Sequence, residues 1–276
     1  VKEKGEKGYP RRLVIWILVI GFSLSLEAQK PEGLLLTQSY ASDAHTVLLL
    51  HLDQDKGIYA KDSSKYSYRC RLHSLKHLPI IKNNTPPTWV KEGKFGGGLK
   101  FDGIDDVMYV EGSADPSSSL NITGPITVEF WLKLEGYPGK YPLYPGVESI
   151  GLSKKFATLI HKEGSWRFYI DFQGILTFYI LQDKKRISVS WPLEDVADNP
   201  IGTWIHIAGV YDGQRIRLYL NGKEKVSKVA NGPIDISNEV IEIGASPQRR
   251  QYTNGLFDEI RISNVAREPS SDKKRE

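Results

Sequence analysis

The chain has 276 residues, 40% of them hydrophobic and 25% charged, which is enough apolar material for a sizeable core and, with the ends trimmed, fits one large β domain. Its formal net charge is +4, but Lys2, Lys4, Lys7, Arg11 and Arg12 against Glu3, Glu6 and Glu27 place about half of that excess in residues 1–28, so no basic face remains that would suit nucleic acid. Cys70 is the single cysteine, which excludes an internal disulfide and leaves stability to the core or to bound ions.

At the N-terminus, Arg11 and Arg12 precede LVIWILVIGFSLSL, a run of roughly 14 mostly apolar residues that suits a signal-peptide core and is short for a bilayer span. The favoured reading of residues 1–28 is therefore a signal peptide, making the protein secreted, periplasmic or held at the cell surface. An uncleaved membrane anchor is the alternative. Small residues permit cleavage after Ala28 or after Ser25. Residues 29–44 are polar and lack sustained periodicity, as a linker does, and the ordered sequence begins near His45.

From there short apolar or alternating runs are separated by Gly, Asn, Asp and Pro, and a 3.6-residue period is almost absent. The spacing predicts an all-β chain with strands at 46–52, 99–101, 107–110, 126–134, 157–161, 166–172, 175–181, 204–211, 215–220, 223–229, 240–244 and 256–262. Within ITVEFWLKL, Ile126, Val128, Phe130, Leu132 and Leu134 share one face, while Thr127, Glu129, Trp131 and Lys133 share the other, the pattern of a strand covering a core on one side only. Asp212-Gly213 and Asn221-Gly222 sit between alternating runs, where their tolerance of positive φ marks two hairpin turns. So many short antiparallel strands require two stacked sheets or a closed barrel.

Seven segments in order, HTVLLLHLDQD, KDSSKY, GKFGGGLKFDGIDDVMYV, GPITVEFWLKL, WIHIAGVYDGQRIRLYLNGK, VIEIGAS and NGLFDEIRISNVARE, together resemble the laminin G-like jelly-roll domain of the concanavalin A-like lectin and glucanase superfamily. The resemblance spans about residues 45–268, leaving 269–276 as a polar tail. It implies a two-layer antiparallel β-sandwich with the first and last strands side by side. It does not imply one activity, since this fold hosts sugar binding, protein binding, hydrolysis and structural roles.

The resemblance also implies a calcium ion at the sandwich edge, with Asp62, Asp102, Gly103 and Asp258 as its carried-over ligand positions. Hard carboxylate and carbonyl oxygens suit Ca²⁺, and a glycine turn lets backbone oxygens face an ion. The first loop reads Asp62-Ser63-Ser64-Lys65, with Lys65 where the family pattern has glycine. The plainer account is that the glycines at 96–98 form a bend and that Asp102, Asp105 and Asp106 are turn formers bonding their own backbone. Asp258 stands apart, because it interrupts the apolar run LFDEIRI, where a carboxylate needs a cation, a donor or water.

Catalysis is not expected. Glycoside hydrolysis needs two facing carboxyl groups, and no strand here carries acids at alternate positions. Nucleophile-elbow and phosphate-loop motifs are absent. Cys70, His73 and His77 have metal-ligand spacing but no evident fourth ligand, as a polar surface run would have it. The better lead for a ligand is the long segment 135–155, where Tyr137, Tyr141 and Tyr144 are spaced by Pro and Gly and would stack on a sugar or a partner, unless the rings fold back over a sheet edge. Trp131 is a further candidate on a sheet face. The sequence thus points to an exported, non-catalytic module that binds a glycan or an extracellular or surface protein, with a structural calcium ion and no contact with nucleic acid or, once the signal is removed, with membrane. A structural or adhesive domain without a small ligand is the runner-up, and a glycoside hydrolase comes third.

Overall fold

Alternating side chains interrupted by turn residues fold here into strands and almost nothing else. The computed structural model describes residues 38–75, 85–139 and 155–269, so the expected signal peptide, linker residues 29–37, Tyr141, Tyr144, His77 and residues 270–276 lie outside the described residues. In chain order the strands are β1 (Thr46–Leu50), β2 (Tyr59–Lys61), β3 (Arg69–Ser74), β4 (Thr88–Val90), β5 (Gly98–Asp102), β6 (Asp106–Val110), β7 (Ile126–Leu134), β8 (Phe156–Lys162) and β9 (Trp166–Asp171). They continue as β10 (Ile175–Gln182), β11 (Lys185–Pro192), β12 (Trp204–Tyr211), β13 (Arg215–Leu220), β14 (Lys223–Val229), β15 (Ile241–Ile243), β16 (Ala245–Ser246), β17 (Gln251–Tyr252) and β18 (Asn254–Ser263). Among the described residues there is no α-helix.

Two eight-stranded antiparallel sheets stack as a sandwich. Sheet A runs β14-β13-β12-β7-β18-β5-β4, with β1 also on β18, and sheet B runs β11-β10-β9-β8-β15-β6-β3-β2. The long β18 serves two partners along one edge, β5 at residues 254–257 and β1 at 260–263, so the first and last strands lie side by side. Separate edges on each sheet rule out the closed barrel that alternation alone left open. The meander β12-β13-β14 follows the predicted bounds, and at its second turn Asn221 (φ 48°) and Gly222 (φ 73°) adopt the left-handed pair a primed hairpin requires.

The core forms where the inward faces meet. Phe168 stacks on Phe178 at 4.4 Å, Phe130 meets Phe168 edge-on at 5.4 Å, and Phe257 bridges Phe130 and Phe101 at 5.7 and 5.2 Å. Gly209 on β12 is dictated by this cluster, because a Cβ there would stand 2.4 Å from Phe168 Cζ and 2.6 Å from Phe178 Cδ1. The other face of β7 departs from expectation. Thr127, Glu129 and Trp131 are as buried as the core residues, so the strand is covered on both sides. The physical reason is that its charge is partnered by Arg261 and roofed by Tyr40, as described below.

Strands β2, β3, β4, β11, β16 and β17 escaped the periodicity reading. They are short, or their apolar residues alternate with Arg, Lys, His and Ser and never form a run. In β3, Cys70 enters the core while His73 lies on the other face, with its ring 5.9 Å from that of Tyr109. Odd spacing along a strand thus separates two of the three residues with metal-ligand spacing.

Lys162, at the end of β8, is 1% exposed, and its Nζ donates to the Ser113 carbonyl. Burial pulls its pKa from the ordinary 10.5 to about 8. A base depressed in the folded state destabilises the fold wherever it must stay charged, and that penalty lifts as pH rises through the folded pKa toward the unfolded one. Lys162→Met is therefore expected to raise stability at pH 7 by about 2 kcal/mol. In denaturation curves measured across pH, the gap between variant and wild type should close between about pH 8 and 10.5.

Candidate functional site

Between β5 and β6 the chain turns through Gly103 (φ 79°) and concentrates three carboxylates. Asp102 Oδ1 accepts from the backbone N–H of Ile104 (2.8 Å) and Asp105 (3.3 Å), closing the turn. Asp106 Oδ2 accepts from Asp102 N–H at 2.9 Å, and Asp105 Oδ2 accepts the Ser74 hydroxyl at 2.7 Å. The second oxygens, Asp105 Oδ1 and Asp106 Oδ1, are buried with no hydrogen-bond partner. One oxygen from each of the three residues lies within 4.8 Å of the others. Burial first, then mutual repulsion, lifts Asp106 to about 9, while burial lifts Asp105 to about 6 and raises Asp102 as well. Such an all-oxygen group could hold a hard divalent ion, which would supply the charge that the two orphaned oxygens lack.

The four carried-over positions do not form one cluster. Asp102 and Gly103 make this turn, joined by Asp105 and Asp106. Asp62 instead accepts four hydrogen bonds, from Leu49 N–H (2.9 Å), Ser64 N–H (2.8 Å), Ser64 hydroxyl (2.8 Å) and Tyr68 N–H (2.9 Å), and so clamps the loop after β2 against β1. Asp258 accepts from Lys94 and Phe95 N–H at 2.7 and 2.8 Å through Oδ2, and from Glu259 N–H at 2.7 Å through Oδ1. Burial lifts its carboxyl to about 7. Since Asn254 is the residue opposite Asp102, Asp258 lies four positions farther along β18, about 13 Å away at strand rise. The costly carboxylate in LFDEIRI has found donors: it ties the glycine-rich segment 93–97 to the last strand.

Trp131 and Glu129 lie on the outer face of sheet A, and that face is closed. The Tyr40 ring sits 4.1 Å over the Arg261 guanidinium, its hydroxyl is 2.7 Å from His206 Nε2, and its N–H donates to Glu259 Oε2 at 2.8 Å. Beneath it Arg261 Nε donates to Glu129 Oε1 at 2.8 Å. Burial alone would raise Glu129, but Arg261 and His206 overcome it and hold the carboxyl at about 2. His51 Nδ1 holds the other oxygen of Glu259 at 2.8 Å. Trp131 is covered by Phe95 (5.7 Å), Lys94 Nζ (4.4 Å) and His206 (5.4 Å). Tyr137 is also buried, with its ring against Gly174, where a Cβ would come within 2.9 Å of it.

Sheet B presents the more open chemistry. On adjacent strands its outer face carries Phe156, Tyr169, Tyr179 and Arg186. Phe156 meets Tyr169 edge-on at 5.4 Å, Tyr169 meets Tyr179 at 6.4 Å, and the Arg186 guanidinium lies 4.5 Å from the Tyr179 ring and 5.1 Å from Tyr169. Thr177 and Ser190 hydroxyls pair beside them at 2.9 Å. Arg186 and Ser190 are exposed, Phe156 and Tyr169 half-buried, and Phe172 at the end of the same hairpin is 44% exposed. Aromatic faces and edges next to a guanidinium and hydroxyls are the groups that stack on and hydrogen-bond a sugar ring or a polar peptide. Their signal in the sequence was the alternation of Tyr169, Tyr179 and Arg186 with core residues along three successive strands, and no single motif marks it.

Comparison with known proteins follows from this geometry. Residues 109–271, more than half of the chain, match the laminin G form of the concanavalin A-like lectin/glucanases superfamily. No curated protein matches the sequence. Solved structures with a similar fold include the binding domain of Paraclostridial Mosquitocidal Protein 1, with TM-score 0.60, 18% identity and coverage of 82% of this chain and 50% of that one. The receptor binding domain of botulinum neurotoxin D matches with TM-score 0.57, 15% identity, 82% and 50% coverage, and that of serotype G with 0.57, 16%, 82% and 49%. The chain spans about half the length of these structures, and at such identity the likeness is one of fold. They are binding domains, while the superfamily also includes glucanases. With the two sheets, the paired first and last strands and the matched segment in place, the chain belongs to the laminin G-like group of the concanavalin A-like lectin/glucanases superfamily.

Proposed function

We propose that the protein is a non-catalytic module that binds a carbohydrate or a surface protein through the outer face of sheet B, with Ca²⁺ held structurally by Asp102, Asp105 and Asp106. The observation that carries this reading is the strip of Phe156, Tyr169 and Arg186, partly open to water beside the buried Tyr179 on a sheet face whose sandwich partner is sealed. Similar folds in the clostridial receptor binding domains support a binding role, and an export signal at residues 1–28 would place that role outside the cytoplasm. The state of the acids on sheet A supports the non-catalytic part. Glu129 and Glu259 are fully buried and held by Arg261 and by His51 with Tyr40, so neither is free to act as acid or nucleophile on a substrate.

The calcium component predicts a linkage effect. At a hundredfold excess over its dissociation constant, Ca²⁺ should add about 2.7 kcal/mol of stability, read as a rise in melting temperature that chelator reverses. Asp106→Asn should abolish the response, whereas equal melting curves with and without chelator would remove the ion from the reading.

For ligand binding, a glycan array and a panel of cell-surface proteins are the appropriate probes. Tyr169→Ala combined with Arg186→Ala should reduce the strongest signal at least tenfold, equivalent to about 1.4 kcal/mol, with little change in melting temperature because both side chains are partly or wholly exposed. Retained binding by the double variant would move the site off sheet B, and silence of the wild type on both panels would favour a purely structural domain.

A further inference from the structure

One residue closes the outer face of sheet A, and it comes from a segment that is otherwise in water. Tyr40 is 5% exposed, although residues 38, 39 and 41–45 around it are all exposed. Ala41 and Ser42 join it to the turn that opens β1, where Asp43 N–H donates to Thr46 Oγ1 at 3.0 Å and Arg267 donates to the Asp43 carboxylate at 2.7 Å. The ring is held as a bound molecule would be. Its centre lies 4.1 Å from the Arg261 guanidinium, its hydroxyl 2.7 Å from His206 Nε2, and its N–H donates to Glu259 Oε2 at 2.8 Å. The walls beneath it, Glu129, Trp131, His206 and Arg261, are each no more than 3% exposed.

A phenol leaves these walls incompletely satisfied. Glu129 Oε1 takes the Arg261 guanidinium, but Oε2 is buried without a hydrogen-bond partner, 3.5 Å from the same His206 Nε2 that meets the Tyr40 hydroxyl. Trp131 Nε1, on the same face of β7 and with its ring 5.4 Å from that of His206, is a buried donor without an acceptor. Burying such groups unpaired is costly, and a hydroxyl offers both a donor and an acceptor. We propose that this pocket binds a ring bearing two adjacent hydroxyls, a sugar diol or a catechol, and that residues 38–42 are a strap whose Tyr40 occupies the pocket in the closed state. One hydroxyl of the ligand takes the place of the tyrosine hydroxyl on His206, and its neighbour donates to Glu129 Oε2. Tyr40 and the ligand compete for one place, so the ligand binds the open form and draws the population toward it. Opening moves no strand, because Tyr40 precedes β1 and the turn at Asp43 stays anchored, and local openings of this kind need far less free energy than unfolding. The site lies on the opposite sheet from the aromatic strip, and the strap alone governs access to it.

The test uses the full chain and two measurements. In amide exchange followed by NMR, the Tyr40 N–H of the wild type should exchange about a hundredfold faster than the amides of β7 and at a rate unaltered by low urea, as local opening requires. In calorimetric titration of Tyr40→Ala, catechol and methyl α-mannopyranoside represent the aromatic and the sugar source of a diol, with phenol as the one-hydroxyl control. At least one diol should bind the variant about tenfold more tightly than phenol does and about tenfold more tightly than it binds the wild type, and the tighter of the two names the source. The same diol, added to the wild type, should speed exchange of the Tyr40 amide by capturing the open form. That last readout needs no variant, so it decides the matter should Tyr40→Ala fail to fold. Exchange of the Tyr40 amide only as fast as the β7 amides, binding of phenol as tight as that of both diols, or wild-type exchange unchanged by either diol overturns the proposal.

Discussion

The register shift in β18 is the constraint on which the rest of sheet A depends. Against β7, Asp258 pairs with Trp131 and Arg261 with Glu129, so three steps on one strand match two on the other, and Glu259 takes up the excess with a φ of 48°. A left-handed glutamate is an uncommon conformation, and here the surroundings over-determine it. Asp258 accepts from the Glu259 N–H and from the glycine-rich segment, while the Glu259 carboxylate is gripped by His51 and by the backbone of Tyr40. One bulge thereby aims a carboxylate at each of two distant segments and brings Arg261 over Glu129.

From that bulge comes the asymmetry between the two outer faces. On sheet A a buried carboxylate would be intolerable alone, and Glu129 is tolerable because Arg261, His206 and Tyr40 together satisfy and roof it. While Tyr40 is seated, the same contacts take the face out of play for a ligand. On sheet B the described residues leave the strip more open, with Arg186 exposed and Tyr169 half-buried beside the buried Tyr179. A face with aromatic edges, hydroxyls and an exposed guanidinium is suited to reversible contact, because little has to be displaced before a partner is met.

The carboxylates follow the same logic of partnered against unpartnered charge. Asp62 and Asp258 have turned theirs inward to backbone N–H groups and act as structural clamps between segments remote in sequence. Asp105 and Asp106 have not, and each keeps a buried oxygen without a donor. Residues of one type, all close to glycine or strand ends, thus divide into clamps and candidate ion ligands according to whether a backbone donor comes within reach.

Local pattern alone determined the greater part of the architecture. Alternation at 126–134 and 204–229, with Asn221-Gly222 at a turn, settles strand position because side-chain direction has a period of two and a primed turn needs positive φ. The ordered segments from HTVLLLHLDQD to NGLFDEIRISNVARE carried the family. Short, polar-faced strands such as β3 and β11 were illegible, since half their residues face water and leave no apolar run. The sites were less readable than the fold. Nothing local says that Asp258 will meet Lys94 and Phe95 rather than join Asp102, that Tyr40 will seal Glu129, or that Tyr169, Tyr179 and Arg186 will stand in a row. Those outcomes depend on which strands become neighbours and in what register, and only the packed sheets decide that, because partners such as Lys94 with Asp258, 164 residues apart, and Tyr40 with Glu259, 219 apart, meet only there.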